Sequence, residues 1–505
     1  MSVEKTKLDF FSKRKIDEEQ VLVESILNVP DAQKILWVEA TAQVETVDAM
    51  TKEASFSGQV FLNAVYLDEN KKIRATEIAS PFLNKLICDG ITPDSRLQLV
   101  ANALSCEYDE AKSKVQCVVA VSGDVVTPQS AELVCGGDES VCVKADDVTA
   151  QGLIRQDSVL FTQEITYPIT DKMENILRVS SKACLKEVIA GENMFTVSGD
   201  ISTVIKYIEE SEEGDKIQTL NFSEPFRREI EASGLTEDGI VEAFACVRQD
   251  AYKYELDKEA NRVLIEVPIF VAYRIYELVA LPRAVDVFCL SSQLATTTAS
   301  IEKSNAEATE FFETKFEGSV QLDTSAPRID KIMGFSNPNL VITGAEVDGE
   351  KIYLEGIVSF DLAYFNDELA DVITIRQEIP FKISLKTENF AGEATNIVAQ
   401  IVDADVVSRR GREVLLDCKI KVQMGGKTDD VDAIISDVQF GETLPEKTHA
   451  IEIYFGKKGD DLWDIAKELR VQPEIIVAQN PELVLPLEEP ENIVIYSTRT
   501  QGVSY

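Results

Sequence analysis

Residues 356–364 read Gly-Ile-Val-Ser-Phe-Asp-Leu-Ala-Tyr and show a clear β-strand pattern. Side chains two residues apart point to the same face of a strand, so Val358, Phe360 and Leu362 would share one face. Alternation with a period of two, in a run rich in Val, Ile and Phe, is typical of a half-buried strand. The stretch therefore predicts β-structure, and its surroundings indicate how often this structure recurs.

The same run from glycine to tyrosine occurs at residues 58–66 and again at residues 199–207. An aligned isoleucine precedes each glycine by 23 or 24 residues, at Ile35, Ile176 and Ile332. A Pro-Phe pair follows each tyrosine by 15 to 18 residues, at residues 81–82, 225–226 and 380–381. Four ordered landmarks in three copies indicate a triplication, and the copies are long enough for each to bury its own core.

We therefore predict a mainly β protein with three tandem antiparallel β sandwich-like repeat domains and a small C-terminal βααβ domain. The segment from Ser300 to Glu317, rich in Glu, Ala, Thr and Lys, predicts a helix or a solvated linker. The predicted parts are an N-terminal tail at 1–20, repeats at 21–155, 156–299 and 317–445, a linker at 300–316 and the small domain at 450–498.

The charge of the 505-residue chain disfavours several classes of partner. Fifty Lys and Arg residues stand against 88 Asp and Glu residues, which gives a net charge of −38. Nucleic acids and anionic membranes need a basic surface, so we expect neither nucleic-acid binding nor direct membrane insertion. No export signal and no apolar stretch of transmembrane length is visible, which predicts a cytoplasmic protein.

The residue types needed for most hydrolytic and metal chemistry are scarce. His449 is the one histidine, and the familiar catalytic motifs are absent, so we expect no enzyme activity, no catalytic residues, no metal and no cofactor. The nine cysteines are irregularly spaced without a CxxC motif, which predicts reduced thiols. Cys135 and Cys142 flank a Gly-Gly turn and could approach each other, but two free thiols are the favoured interpretation.

The end of the chain has a different pattern. Residues 451–454 predict a strand, Asp461 stands at a helix N-cap position, and Pro473 suits the start of a second helix. Residues 493–496 predict a closing strand. An apolar helix face with spacing i, i+3, i+4 and i+7 is formed by Leu462, Ile465, Ala466 and Leu469.

Residues 459–466, Gly-Asp-Asp-Leu-Trp-Asp-Ile-Ala, together with Asn480-Pro481, resemble a LysM domain. This resemblance implies a shallow groove that binds N-acetylglucosamine-containing glycans between two loops. The residues it assigns to a partner- or glycan-binding face are Gly459, Asp460, Asp461, Leu462, Trp463, Asn480 and Pro481. Asp461 replaces the usual threonine, and residues 451–496 carry four basic against ten acidic residues, which suits a basic protein ligand at least as well.

Trp463 has two possible roles in this module. Packing in the core of the LysM-like fold is the favoured interpretation, and a hot spot for a partner is the alternative.

The combination of Gly58, Tyr66-Leu67-Asp68 and Pro81-Phe82 is similar to the signature of the SPOCS domain (DUF3794). Tandem SPOCS domains followed by LysM resemble the SipL-like family of spore-coat morphogenetic proteins. The second repeat departs from the signature, with Lys206 and Ile208 around its tyrosine.

The SipL-like resemblance implies a non-enzymatic scaffold in the mother-cell cytoplasm, at the outer surface of the forespore. Its implied partners are the coat basement-layer ATPase (SpoIVA), bound through the LysM module, and other coat proteins. The alternative is a wall-associated LysM protein that binds peptidoglycan or chito-oligosaccharides.

Overall fold

The computed structural model describes residues 1–110, 113–169, 173–209, 216–387, 392–445, 447 and 449–496. Strands account for 76% of the structure and helices for 4%, which confirms the predicted mainly β class. Neither of the two short helices, nor any other helix in these ranges, is long and apolar enough to cross a bilayer.

The strands fall into three groups, called units 1, 2 and 3, followed by the C-terminal module. Unit 1 comprises β1 (Val3–Ile26), β2 (Ala32–Ala49), β3 (Glu53–Asp68), β4 (Ile73–Ile87), β5 (Arg96–Asp109) and β6 (Lys114–Gly137). Unit 2 comprises β7 (Val141–Pro168), β8 (Met173–Gly191), β9 (Met194–Glu209), β10 (Lys216–Glu231), β11 (Ile240–Val247), β12 (Lys253–Asp257) and β13 (Arg262–Cys289). Unit 3 comprises β14 (Ser292–Gln321), β15 (Lys331–Phe335), β16 (Asn339–Asp348), β17 (Lys351–Asn366), β18 (Asp371–Lys386), β19 (Glu393–Arg409) and β20 (Glu413–Thr443). The C-terminal module comprises β21 (Ile451–Phe455), α1 (Leu462–Leu469), α2 (Pro473–Gln479) and β22 (Asn492–Tyr496).

Each unit contains two antiparallel sheets with the same strand order. In one sheet the last strand of the unit pairs with the first strand on one side and with a strand that precedes it in sequence on the other. The resulting orders are β1-β6-β5, β7-β13-β11 and β14-β20-β19. In the other sheet the middle strands pair as β2-β3-β4, β8-β9-β10 and β16-β17-β18. One apolar core lies within each unit and contains residues of both sheets, as expected for a sandwich.

Two of the expected segments have a different structure. Residues 1–20, expected to form a tail, lie largely in β1, and residues 300–316, expected to form a helix or linker, lie inside β14. Ile301, Ser304 and Ala306 are buried in β14, but small and polar residues give little hydrophobic pattern. The proposed domain boundaries stay a prediction, and residues 497 and 498 lie outside the described residues.

The first and last strands of each unit continue beyond its sandwich as a two-stranded ribbon, and the three ribbons meet. One apolar cluster takes residues from all of them, namely Leu8, Phe10, Leu133, Val148, Ala150, Ile301 and Ile434. A second meeting point contains residues that directly follow the aligned isoleucines, Leu36 and Leu177 with Met333 packed against them. The three units therefore surround a common axis and share buried surface along it.

The landmark glycines and Pro-Phe pairs are explained by cross-strand packing. Gly356 lies directly opposite Phe381, and Gly58 and Gly199 lie opposite the equivalent phenylalanines. A Cβ atom on Gly356 would lie 2.0 Å from the carbonyl oxygen of Val341 and 2.6 Å from the ring of Phe381. The ring thus covers a glycine where no side chain fits, an arrangement that fixes strand register.

Gly356→Ala is expected to lower the free energy of unfolding by about 1–3 kcal/mol, because the added methyl group must displace backbone or ring. Gly344→Ala is the matched control, since a Cβ there meets nothing within 4 Å. Urea denaturation of the full chain measures both. Equal stability of the two variants would contradict the explanation.

The ribbons also enclose a fully buried group of charges on the axis. Lys13, Asp124, Glu242 and Arg274 are all 0% exposed. Arg274 Nη1 lies 2.5 Å from Asp124 Oδ1 and 3.4 Å from Glu242 Oε2, and Lys13 Nζ lies 2.6 Å from Glu242 Oε1. Burial alone would raise the pKa of Asp124, but Arg274 and Lys13 hold it below its usual value.

Cys106 and Cys117 are directly opposite on β5 and β6 and form a disulfide. The expectation that all nine cysteines are reduced is therefore wrong for this pair. Cys135 and Cys142, which flank the Gly-Gly turn, are both free thiols as favoured from the sequence.

Candidate functional site: the C-terminal module

The C-terminal module has the βααβ order expected from its sequence. β21 and β22 pair antiparallel, from Ile451 opposite Tyr496 to Phe455 opposite Asn492. Asp461 caps α1, because its side chain accepts a hydrogen bond of 2.8 Å from the backbone N–H of Asp464. Pro473 occupies the first turn of α2, where its missing N–H costs no helical hydrogen bond.

Asp460 stabilises the first predicted binding loop through hydrogen bonds to its side chain. Its Oδ2 atom accepts hydrogen bonds from the Tyr454 hydroxyl at 2.9 Å and from the Lys457 N–H at 2.8 Å. The hydrogen bond from Lys457, followed by that from Tyr454, lowers the pKa of Asp460. Burial and then the Asp460 carboxylate raise the pKa of Tyr454 to about 12. Asp460 therefore has a structural role in the turn.

The loop also contacts the segment before the last strand. The Gly459 N–H donates to the carbonyl of Leu487 at 2.8 Å, and the Leu487 N–H donates to the carbonyl of Asp460 at 3.0 Å. Gly459 has a φ of +96°, a conformation that favours glycine.

Asn480 is a structural residue at the end of α2. Its Nδ2 atom donates to the carbonyls of Ile476 at 3.0 Å and Val494 at 3.1 Å, and its Oδ1 atom accepts from the Val494 N–H at 3.3 Å. The side chain thus provides hydrogen-bond partners for a backbone carbonyl at the end of α2 and for backbone groups on the edge of β22. Pro481, the next residue, is exposed.

Trp463 packs against unit 2. It is 8% exposed, and its ring lies edge-on to Phe288 of β13, with centroids 5.0 Å apart. Its Nε1–H donates to Asp286 Oδ2 at 2.8 Å. Cys142 belongs to the same apolar cluster as the module core. The packing interpretation of Trp463 therefore fits the structure, although part of its contact is with another unit.

Polar contacts surround this interface between the module and unit 2. Lys467 Nζ lies 2.6 Å from Asp286 Oδ2, and Lys144 Nζ lies 3.1 Å from Asp461 Oδ2. Burial alone would raise the pKa of Asp286, but Lys467 and the Trp463 indole N–H lower it. Sequence reasoning missed Lys144 and Asp286, because they are far from the module in sequence and belong to no motif.

One face of the module remains open. Ile451, Ile453 and Phe455 alternate along β21 and are 53%, 52% and 71% exposed. We call these three residues the β21 row. Of the predicted binding residues, Gly459 and Pro481 are exposed, Leu462 is half-buried, and the remaining four make the contacts described above. No group of three or more His, Cys, Asp or Glu residues in the described ranges is arranged to hold a metal ion.

A comparison with protein-family models finds a match for part of unit 1. Residues 31–110 match the model described as SipL, SPOCS domain. The match includes β2 to β5 and contains the landmarks Gly58, Tyr66 and Pro81-Phe82. It suggests a role related to the sporulation coat. No curated protein and no solved structure matches the chain significantly.

Proposed function

We propose that the chain is a non-enzymatic interaction scaffold in endospore coat assembly, in the mother-cell cytoplasm at the forespore surface. The similarity of residues 31–110 to the SipL SPOCS domain is the observation that carries this proposal. Three units with the same strand order provide several surfaces on one chain. Joining such surfaces raises their effective concentration at a surface that displays the partners.

The proposed partner of the C-terminal module is the coat basement-layer ATPase (SpoIVA), and other coat proteins are proposed partners of the units. The exposed β21 row supports a contact through the module, since an alternating apolar face on a surface strand favours a protein partner. Gly459 and Pro481 are a second proposed contact, because they are the most exposed of the predicted binding residues.

A pull-down of the full chain with the purified basement ATPase tests this proposal. The double variant Ile453→Ser with Phe455→Ser is expected to reduce binding by about tenfold or more, because it removes apolar contact area without disturbing the module core. Pro481→Glu tests the loop. Trp463→Ala and Asp460→Ala are less informative, since both residues hold the module together.

Leu369→Ser is the matched control, because Leu369 is 59% exposed and lies in unit 3. Binding by the double variant and by Pro481→Glu at the wild-type level would contradict the proposed contact. Titration of the full chain with chito-oligosaccharides tests the alternative function, which is glycan binding. Saturable glycan binding without ATPase binding would favour a wall-associated LysM protein.

A further inference from the structure

A cavity lies where the three units meet. Its volume is about 270 Å³, and its walls come from β2 and β5 of unit 1, β8, β11 and β13 of unit 2, and β16 and β19 of unit 3. We call it the central cavity. One buried water needs only ~10–15 Å³ of such space. The central cavity thus approaches the ~300–1,000 Å³ of small-molecule sites.

The lining of the central cavity has the opposite charge to the chain as a whole. The chain carries −38, yet the described lining contains Lys182 and Arg248 and no carboxylate. Apolar surface comes from Phe244 and Phe270 among others. Amide side chains also line it, at Gln43, Gln98, Asn102, Gln249, Asn339 and Gln400.

Arg248 already has a counter-ion. Its Nε and Nη2 atoms donate to the two carboxylate oxygens of Asp250, at 2.9 Å and 3.0 Å. Glu39, which lines an adjoining cavity of about 140 Å³, is also engaged, by Arg178 at 3.1 Å and Lys206 at 2.8 Å. Neither Asp250 nor Glu39 is therefore available to the remaining cation of the central cavity. Asp361 and Asp403 line the adjoining cavities, but neither forms an ion pair with that cation.

Lys182 is that remaining cation. It lines the central cavity, the adjoining cavity and a third, smaller cavity beside them. Its Nζ atom donates to the carbonyl of Ile401 at 2.8 Å, and no carboxylate in the described part of the chain forms an ion pair with it. Since an ammonium group has three N–H donors, two remain for a ligand. Burial lowers the pKa of Lys182, and the opposing effect of Cys184 and Glu39 does not restore it.

We propose that the central cavity binds a small organic anion. Its carboxylate or phosphate group pairs with Lys182, and its apolar part lies against Phe244 and Phe270. The anion supplies the counter-ion that the chain does not, and the amide side chains satisfy its other polar atoms. This site is independent of the scaffold role and of the C-terminal module.

Isothermal titration of the full chain with benzoate and with phenyl phosphate tests the site, and benzyl alcohol serves as the neutral analogue. We expect at least one anion to bind with a dissociation constant of about 1 mM or tighter, and the alcohol to bind more weakly. Lys182→Met is expected to weaken anion binding by about tenfold or more. Benzoate binding alone identifies a carboxylate ligand, and phenyl phosphate binding alone identifies a phosphate ligand.

Lys186→Met is the matched control, because Lys186 is exposed, follows on the same strand and pairs with Asp200 at 2.7 Å. It should change anion affinity by no more than about twofold. Cys246→Phe is a second variant that fills the cavity without changing its charge, and it should also abolish binding. No binding of either anion to the wild-type chain, or equal affinity of the wild type and Lys182→Met, would overturn the proposal.

Discussion

Arg274→Met is expected to lower the free energy of unfolding of the full chain by about 3–5 kcal/mol. The guanidinium of Arg274 contacts both Asp124 and Glu242, and it also donates to Gln156 Oε1 at 2.7 Å and to the carbonyl of Arg96 at 3.1 Å. Its removal leaves two fully buried carboxylates with Lys13 as their one cation, while the Tyr276 hydroxyl still donates to Glu242 at 3.2 Å. An uncompensated charge without access to water is among the most costly defects in a protein interior.

Arg155→Met is the matched control for Arg274→Met. Arg155 pairs with Asp157 at 2.6 Å, but its side chain is 41% exposed, so we expect a loss of no more than about 1 kcal/mol. Chemical denaturation of both variants with urea gives the comparison. A similar loss in the two variants would show that the axis charges do not stabilise the fold as the distances indicate.

Trp463→Ala is expected to destabilise the C-terminal module by about 3–5 kcal/mol, since a large buried ring is lost. The variant also loses the hydrogen bond to Asp286 and the edge-on contact with Phe288. Hydrogen–deuterium exchange should show faster exchange in residues 451–496, while β3, β9 and β17 keep their protection.

Trp463→Phe separates the two parts of this contact. It keeps an aromatic ring but removes the indole N–H, so we expect a smaller loss of about 1.5–3 kcal/mol, typical of a hydrogen bond to a charged group. Unchanged exchange in the module of Trp463→Ala would contradict the docking on unit 2. Faster exchange in all three units would show that the module is not a separate cooperative part.

The features that could be predicted from the sequence are local or periodic. Alternation from Gly356 to Tyr364 predicted a strand, and β17 contains this run. The Pro-Phe pair after each run is a landmark of the repeat in the sequence, and in the structure Phe381 is the cross-strand partner of Gly356. Asp461 and Pro473 predicted the starts of two helices, because capping depends on residues close in sequence.

The contacts between units could not be predicted in this way. The segment from Ser300 to Glu317 predicts a helix or linker although it lies in β14, because its buried positions include Lys303 and Ser304, which give no apolar periodicity. The roles of Asp286 and Lys182 depend on residues 177 and 219 positions away in sequence. A sequence pattern indicates contacts between residues that are close along the chain, whereas these two residues contact residues that are distant in sequence.

The buried charges on the axis also depend on how the units are connected. Asp124, Arg274 and Gly425 each lie ten residues before Val134, Ala284 and Ile435, which share one apolar cluster, so the three are equivalent positions. A trimer of identical chains would repeat one side chain there, and three aspartates or three arginines would repel each other. In a single polypeptide the three equivalent positions can differ, so one carries an acid, one carries a base and one has no side chain. Replacing unit 3 by a copy of unit 1 or of unit 2 would therefore bring two like charges together, although each unit has the same topology.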